Sequence, residues 1–140
     1  MRDITNSLHI KRAISPVSEA GNTALVSQII DRQGYDSLMF AIATGSLADA
    51  DATFTVLLED GDDSGLSDAA AVADGELNGT ETLAGFRYDD DNEVRKLGYV
   101  GSKRYVRLTI TPANNASAAL ISAVAILGHG ALKPEANPPV

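Results

Sequence analysis

The chain has no cysteine and no tryptophan, only three phenylalanines and four tyrosines, and few bases, 11 Lys and Arg against 19 Asp and Glu. Without cysteine there is no disulfide framework, no thiolate metal site and no cysteine nucleophile. Aromatic platforms on which sugars could stack are scarce. The formal charge of −8 makes nucleic acid a poor partner. Between positions 49 and 93, fourteen acids stand against one base, Arg87, and that block is expected to face solvent. The longest apolar run, AALISAVAIL, is too short to span a bilayer, and the opening MRDITNSLHIKR has no apolar signal-peptide core. No membrane partner and no ordinary secretory route are expected.

Motifs of common chemistries are missing too. There is no G-x-S-x-G elbow, no G-x-x-x-x-G-K-[ST] phosphate loop and no G-x-G-x-x-G turn. His9 and His129 lack ligand spacing, although one of them could orient a serine. EDGDDSG imitates the opening of a calcium loop, with Asp60, Asp62, Ser64 and Gly65 in step. The twelfth position is Ala71, however, where such a loop needs glutamate. DDDNE, at positions 89–93, reads as an exposed acidic loop, and the sequons at Asn78 and Asn115 as chance matches. The expectation is a protein that is not an enzyme and has no cofactor and no metal.

What is present is period-two alternation. With 140 residues, 44% of them hydrophobic, the chain can build one β domain over positions 1–140. In Ser37 to Thr44, Leu38, Phe40 and Ile42 share one side and Met39, Ala41 and Ala43 the other, leaving room for cover on both faces. In ATFTVLLE, Phe54, Val56 and Leu58 share a face. In RYVRLTIT, Val106, Leu108 and Ile110 do. TALVSQIID reads as one further strand, and the alternation of Leu120, Ser122, Val124 and Ile126 makes ASAALISAVAIL another. EVRKLGYVG is expected to pair with RYVRLTIT through a tight turn at Gly101 and Ser102. SDAAAVADG is expected to be a short helix capped by Ser67 and stopped by Gly75. Short strands separated by turn signals imply an all-β fold, an antiparallel β-sandwich of jelly-roll-like form with extended termini. Positions 1–7 are arm-like. The Pro-rich tail, 133–140, cannot join a ladder and is expected to run extended along a surface.

One feature runs against the acidic balance. Arg95, Lys96, Lys103, Arg104 and Arg107 crowd into or beside LGYVGSKRYVRLTIT. These bases can neutralise nearby carboxylates, or they can offer bidentate contacts to an acidic protein partner, or both.

IIDRQGYDSLMFAIATGSLADADATFTVLLEDGDD, then LGYVGSKRYVRLTITPA and AVAILGHGALKP, resemble the capsid cement, or decoration, proteins of tailed bacteriophages, that of a Bordetella podophage included. The resemblance spans positions 8–134 and is strongest in IDRQGYDSL and GYVGSKRYVR. It implies a jelly-roll-like fold on the outer capsid surface of a virion, with the major capsid protein as partner. It also implies self-association, a dimer being favoured and a trimer possible. The expected capsid or subunit contacts are Lys103, Arg104 and Arg107 with the arms, Met1, Arg2, Lys133, Pro138 and Pro139. The alternatives are a carbohydrate- or ligand-binding jelly-roll module, and a head-completion or tail component of the same virion.

Overall fold

The computed structural model describes residues 2–139. Eleven strands form two antiparallel sheets. They are β1 (His9–Glu19), β2 (Leu25–Val26), β3 (Ile30–Asp31), β4 (Tyr35–Leu47), β5 (Thr53–Gly61), β6 (Ala70–Ala71), β7 (Leu77–Asn78), β8 (Phe86–Arg87), β9 (Val94–Tyr99), β10 (Tyr105–Ala113) and β11 (Ala119–Gly130). One sheet runs β1-β11-β4-β9-β7; the other runs β2-β10-β5-β6, with β3 on β10 and β8 on β5. This is an antiparallel β-sandwich of the jelly-roll kind. Among the described residues, no helix is long and apolar enough to cross a membrane.

Alternation explains the core. Phe54, Val56 and Leu58 of β5 and Val106, Leu108 and Ile110 of β10 point inward from one sheet. Leu38, Phe40 and Ile42 of β4, Leu97 of β9, and Ile121, Ala125 and Leu127 of β11 meet them from the other. Each large side chain so buried contributes about 1.5–3 kcal/mol. Phe54 also stacks on Phe86, with ring centroids 4.7 Å apart. A short helix, α1 (Glu81–Ala84), plugs the gap between β6 and β8 on the edge of β5. Thr80 caps it by accepting from Leu83 N, and its Glu81 carboxylate accepts the Leu58 N–H at 2.9 Å.

Three expectations are corrected, and one strand is additional. The segment 93–101 does not form a hairpin with β10: β9 pairs with β4 and β7, whereas β10 pairs with β2, β3 and β5. Both strands bury one face, so they oppose each other across the core instead of lying side by side. The segment 67–75 is not a helix. Its alanines offer no packing face, while the edge of β5 offers a ladder, and Ala70 and Ala71 pair with Asp60 and Glu59. TALVSQIID is interrupted at Ser27, whose N–H donates to Leu108 O while its hydroxyl accepts Leu108 N–H; Gln28 then reaches Ala13 O on β1. Beyond the expected arm at positions 1–7, the 11-residue β1 (His9–Glu19) is a strand for which there was no expectation. Register shifts at Arg12/Ile14 and Ile14/Val17 break its alternation and hide it.

Candidate functional site

The basic knot supplies Lys103, Arg104 and Arg107 of the expected contacts. It lies where the chain crosses between sheets, and the crossover is held from inside. Arg32 donates from Nε to Lys103 O (2.6 Å) and from Nη2 to Gly101 O (2.8 Å), with its guanidinium 5.2 Å from the centre of the Tyr99 ring. The Tyr99 hydroxyl donates to Asp60 Oδ2 at 2.7 Å and accepts the Lys103 N–H at 3.0 Å. Tyr99 is 1% exposed and Asp60 7%. A polar link therefore joins the two sheets through the core. Gly101 is required beside it, since an added Cβ would lie 2.5 Å from the Tyr99 hydroxyl oxygen.

Outside that link every base of the knot except Lys96 holds a carboxylate. Arg104 is bidentate on Asp31, at 2.9 Å for both contacts, and lies 5.0 Å from the Tyr105 ring centre. Lys103 Nζ reaches Asp62 at 2.5 Å, and Arg107 reaches Glu59 at 3.0 Å. Arg95 binds Glu93 and, at 3.2 Å, Asp90. The Arg104 guanidinium holds the Asp31 carboxyl below the ordinary carboxylate range, and hydrogen bonding to Asp62 raises the Lys103 ammonium. Local neutralisation is thus in place.

The acidic loops are similarly occupied. Asp68 accepts the N–H groups of Asp62 and Asp63, and Asp63 accepts those of Gly65 and Ser67, which lowers both carboxyls. Among the described residues, no three His, Asp or Glu side chains are grouped to hold a metal. Asn115 is 2% exposed, and its side-chain nitrogen donates to Glu19 O and Gly21 O, so that sequon is closed to modification. His129 does meet a serine, Ser37 Oγ, at 2.6 Å on the surface.

The tail is not extended, correcting that expectation. It bends back so that Glu135, its side chain 7% exposed, accepts the Tyr35 hydroxyl at 2.7 Å and lies 3.6 Å from His9 Nδ1. Glu135 N–H also donates to Asn6 O, tying one terminal segment to the other. The ends are latched, not loose: a charged group buried between two rings needs those partners. Burial, with Glu135 beside it, pushes the Tyr35 hydroxyl up to about 12, and burial raises Tyr99 further still. A folded-state value above the unfolded value of 10 adds stability that is complete below pH 10 and lost as pH rises through 12. Melting temperature should therefore hold steady to about pH 10 and then fall steeply, and Tyr35→Phe should soften that fall.

The largest open feature escaped the sequence reading: the outward face of the five-stranded sheet. Met39, Ala41 and Ala43, for which cover was allowed, turn outward, Met39 and Ala41 half-buried and Ala43 exposed, with no strand of the other sheet across them. Strand register sets them in rows. Ile10, Ile126, Met39 and Gly98 run across the sheet, and beside them Arg12, Val124, Ala41 and Lys96. A third row sets Ser122, Ala43 and Val94 side by side. Val94 is 68% exposed and Ile10 44%. A trough of about 910 Å³ crosses this face, with Met39 and Ile126 in its floor and Ile4, Leu83 and Val100 on its walls. Small residues keep the floor low, and apolar ones deny it hydration. Contiguous apolar surface of this kind marks an interaction site. The signal available in the sequence was Met39, Ala41, Ala43, Val124 and Ile126 at positions where a solvent-facing strand carries polar residues.

The expected contact residues fall on different sides. Met1 lies outside the described residues. Arg2 is exposed at the amino end, Lys103 and Arg104 sit at the crossover, and Arg107 lies on the outer face of the other sheet. Lys133 borders the trough, and Pro138 and Pro139 are exposed beyond the Glu135 latch.

No family model matches the chain, and no curated protein matches it in sequence. Solved structures do. The PBSX exported protein XepA is similar at a TM-score of 0.56 and 14% identity, covering 94% of this chain and 40% of that one. VP2 of the infectious bursal disease virus subviral particle is similar at 0.54 and 14%, covering 91% and 33%. Cellvibrio japonicus Xylanase10C, solved with xylopentaose, is similar at 0.50 and 12%, covering 90% and 28%. The chain spans at most 40% of the length of these proteins, and the likeness is one of fold. A protein of a subviral particle is thus among those that share the fold.

Proposed function

We propose that this chain is a structural, non-enzymatic virion protein of a tailed phage that binds the outer surface of the capsid across capsomer junctions and stabilises the shell. The observation that carries this reading is the uncovered apolar face of the five-stranded sheet, on a body whose core is closed. The resemblance to phage cement proteins and the fold shared with a subviral-particle protein support it. A protein that binds only the closed shell stabilises that state by linkage. A symmetric oligomer, here proposed as a dimer, engages two junctions at once and multiplies the hold through effective concentration.

Lys103, Arg104 and Arg107 stay in the proposal as contacts, with Arg2, Lys133, Pro138 and Pro139. Lys103, Arg104 and Arg107 each already hold a carboxylate, so a capsid must exchange one partner for another. That favours specificity and on-rate over raw affinity. Purified protein is expected to co-sediment with isolated mature capsids and to raise their rupture temperature in proportion to the logarithm of its free concentration. Rupture temperature that does not move with added protein would end this reading.

The trough also favours a second reading, a ligand-binding jelly roll. Its aromatic lining residue, Tyr99, has its ring buried, and sugar stacking needs an open ring. Titration with xylopentaose decides: heat of binding on a 1:1 curve would favour this second reading.

A further inference from the structure

We propose that the outer face of the five-stranded sheet receives an extended protein segment bearing two carboxylates four residues apart with an apolar residue midway between them. The proposal rests on the chain's working by binding another protein, and it does not require that protein to be a capsid.

Charge is sorted across the molecule. Arg87, Arg95, Lys103, Arg104 and Arg107 hold carboxylates, and Arg32 is taken up by backbone carbonyls. Among the described residues, the other bases, Arg2, Lys11, Arg12, Lys96 and Lys133, have no carboxylate within 4.0 Å. All belong to β1, β9 or the terminal segments beside the five-stranded sheet. Lys11 turns to the other side of β1, where its charge acts on Asp31. The positive charge left around the uncovered apolar face of this −8 protein is therefore that of Arg2, Arg12, Lys96 and Lys133, with Asp36 the carboxylate that lines its trough. That face fits an acidic partner, while the rest of the surface repels one.

Register sharpens the fit. Arg12, Val124, Ala41 and Lys96 stand in one row, with an exposed base at each end and small apolar residues between. Three strand spacings separate the ends, about 14 Å. An extended chain advances about 3.3 Å per residue and returns to one face every second residue, so positions i and i+4 reach both bases and i+2 meets Val124 and Ala41. Arg12 donates to Ser15 Oγ at 2.6 Å, which leaves its charge uncompensated. Duplex DNA fits less well, because its backbone would bury phosphates against Ile126, Met39 and Val94 without enough donors. Two copies meeting through this face would set unpaired bases against their like.

The test is a nuclear magnetic resonance titration of the full chain with the capped peptide Ser-Glu-Thr-Val-Thr-Glu-Ser, its Lys-for-Glu counterpart, a peptide with the glutamates adjacent, and duplex DNA. The first peptide should shift the amides of Ala41, Lys96 and Val124 at about millimolar concentration. Lys96→Glu with Arg12→Glu should weaken that binding about tenfold or more, with melting unchanged because both side chains are exposed. The Lys peptide should give no shift. Absence of those shifts, equal shifts by the Lys or adjacent-Glu peptide, tighter binding of DNA at the same amides, or self-association abolished by Lys96→Glu would each overturn the proposal. Isolated capsids separate the two readings. Shells that retain the doubly reversed variant keep the capsid role and remove this face. Shells that ignore even the unaltered protein, while the peptide still binds, remove the capsid role and keep the face.

Discussion

Tyr99→Phe should lower the stability of the fold by about 2–4 kcal/mol, although it deletes a single oxygen. That oxygen donates to Asp60 Oδ2 and accepts the Lys103 N–H, inside a core where Tyr99 is 1% exposed. Without it a buried carboxylate loses its donor and a backbone N–H loses its acceptor. The damage should reach the surface, because Lys103 and Arg104 hang from the same crossover. Urea unfolding is the measurement. Asp60→Val in the Tyr99→Phe background should recover part of the loss, since removing both partners leaves no unmatched charge. A Tyr99→Phe midpoint within experimental error of the parent protein would show that water or another donor satisfies Asp60, and that the link is not structural.

Glu135→Ala should cost about 2–3 kcal/mol and release the tail. The carboxylate accepts the Tyr35 hydroxyl at 2.7 Å and lies beside the buried His9, so its loss leaves that hydroxyl without its acceptor. The Glu135 N–H, bonded to Asn6 O, should exchange with solvent at a rate set by local opening. Glu135→Gln keeps an acceptor and should lose less. The alkaline fall in melting temperature, which begins near the unfolded tyrosine value of 10, should also be smaller in Glu135→Ala, because Glu135 adds its hydrogen bond and charge to the burial that raises Tyr35. If Glu135→Ala melts with the parent and protects the same amides, the latch is incidental. The tail would then be free to reach a neighbour, as the sequence reading expected.

The long strands were legible wherever alternation was clean. In β5 and β10 the inward residues came out as expected, because burying one face of a strand demands a two-residue period. β1 was not legible: two register shifts carry its side chains out of phase, and Pro16 within it reads as a breaker. The hairpin at Gly101 was misjudged because turn chemistry specifies a bend but not which sheet the chain enters next. Asp60 could have been found, since it continues the inward series Phe54, Val56, Leu58. A carboxylate in that series asks for a donor from the opposite sheet. Its donor, Tyr99, lies 39 positions away, and no local pattern connects the two.

Taken alone, the order of residues decided the all-β class, the inward face of each regular strand, the want of thiol chemistry and the acidic charge. These depend on composition and on neighbours one or two places apart. Tertiary structure alone decided which bases of the knot hold a carboxylate and which does not, where the tail comes to rest, and that Met39, Ala41 and Ala43 look outward. Those outcomes depend on which distant strands become neighbours, and pairing between sheets is set by packing the whole core at once.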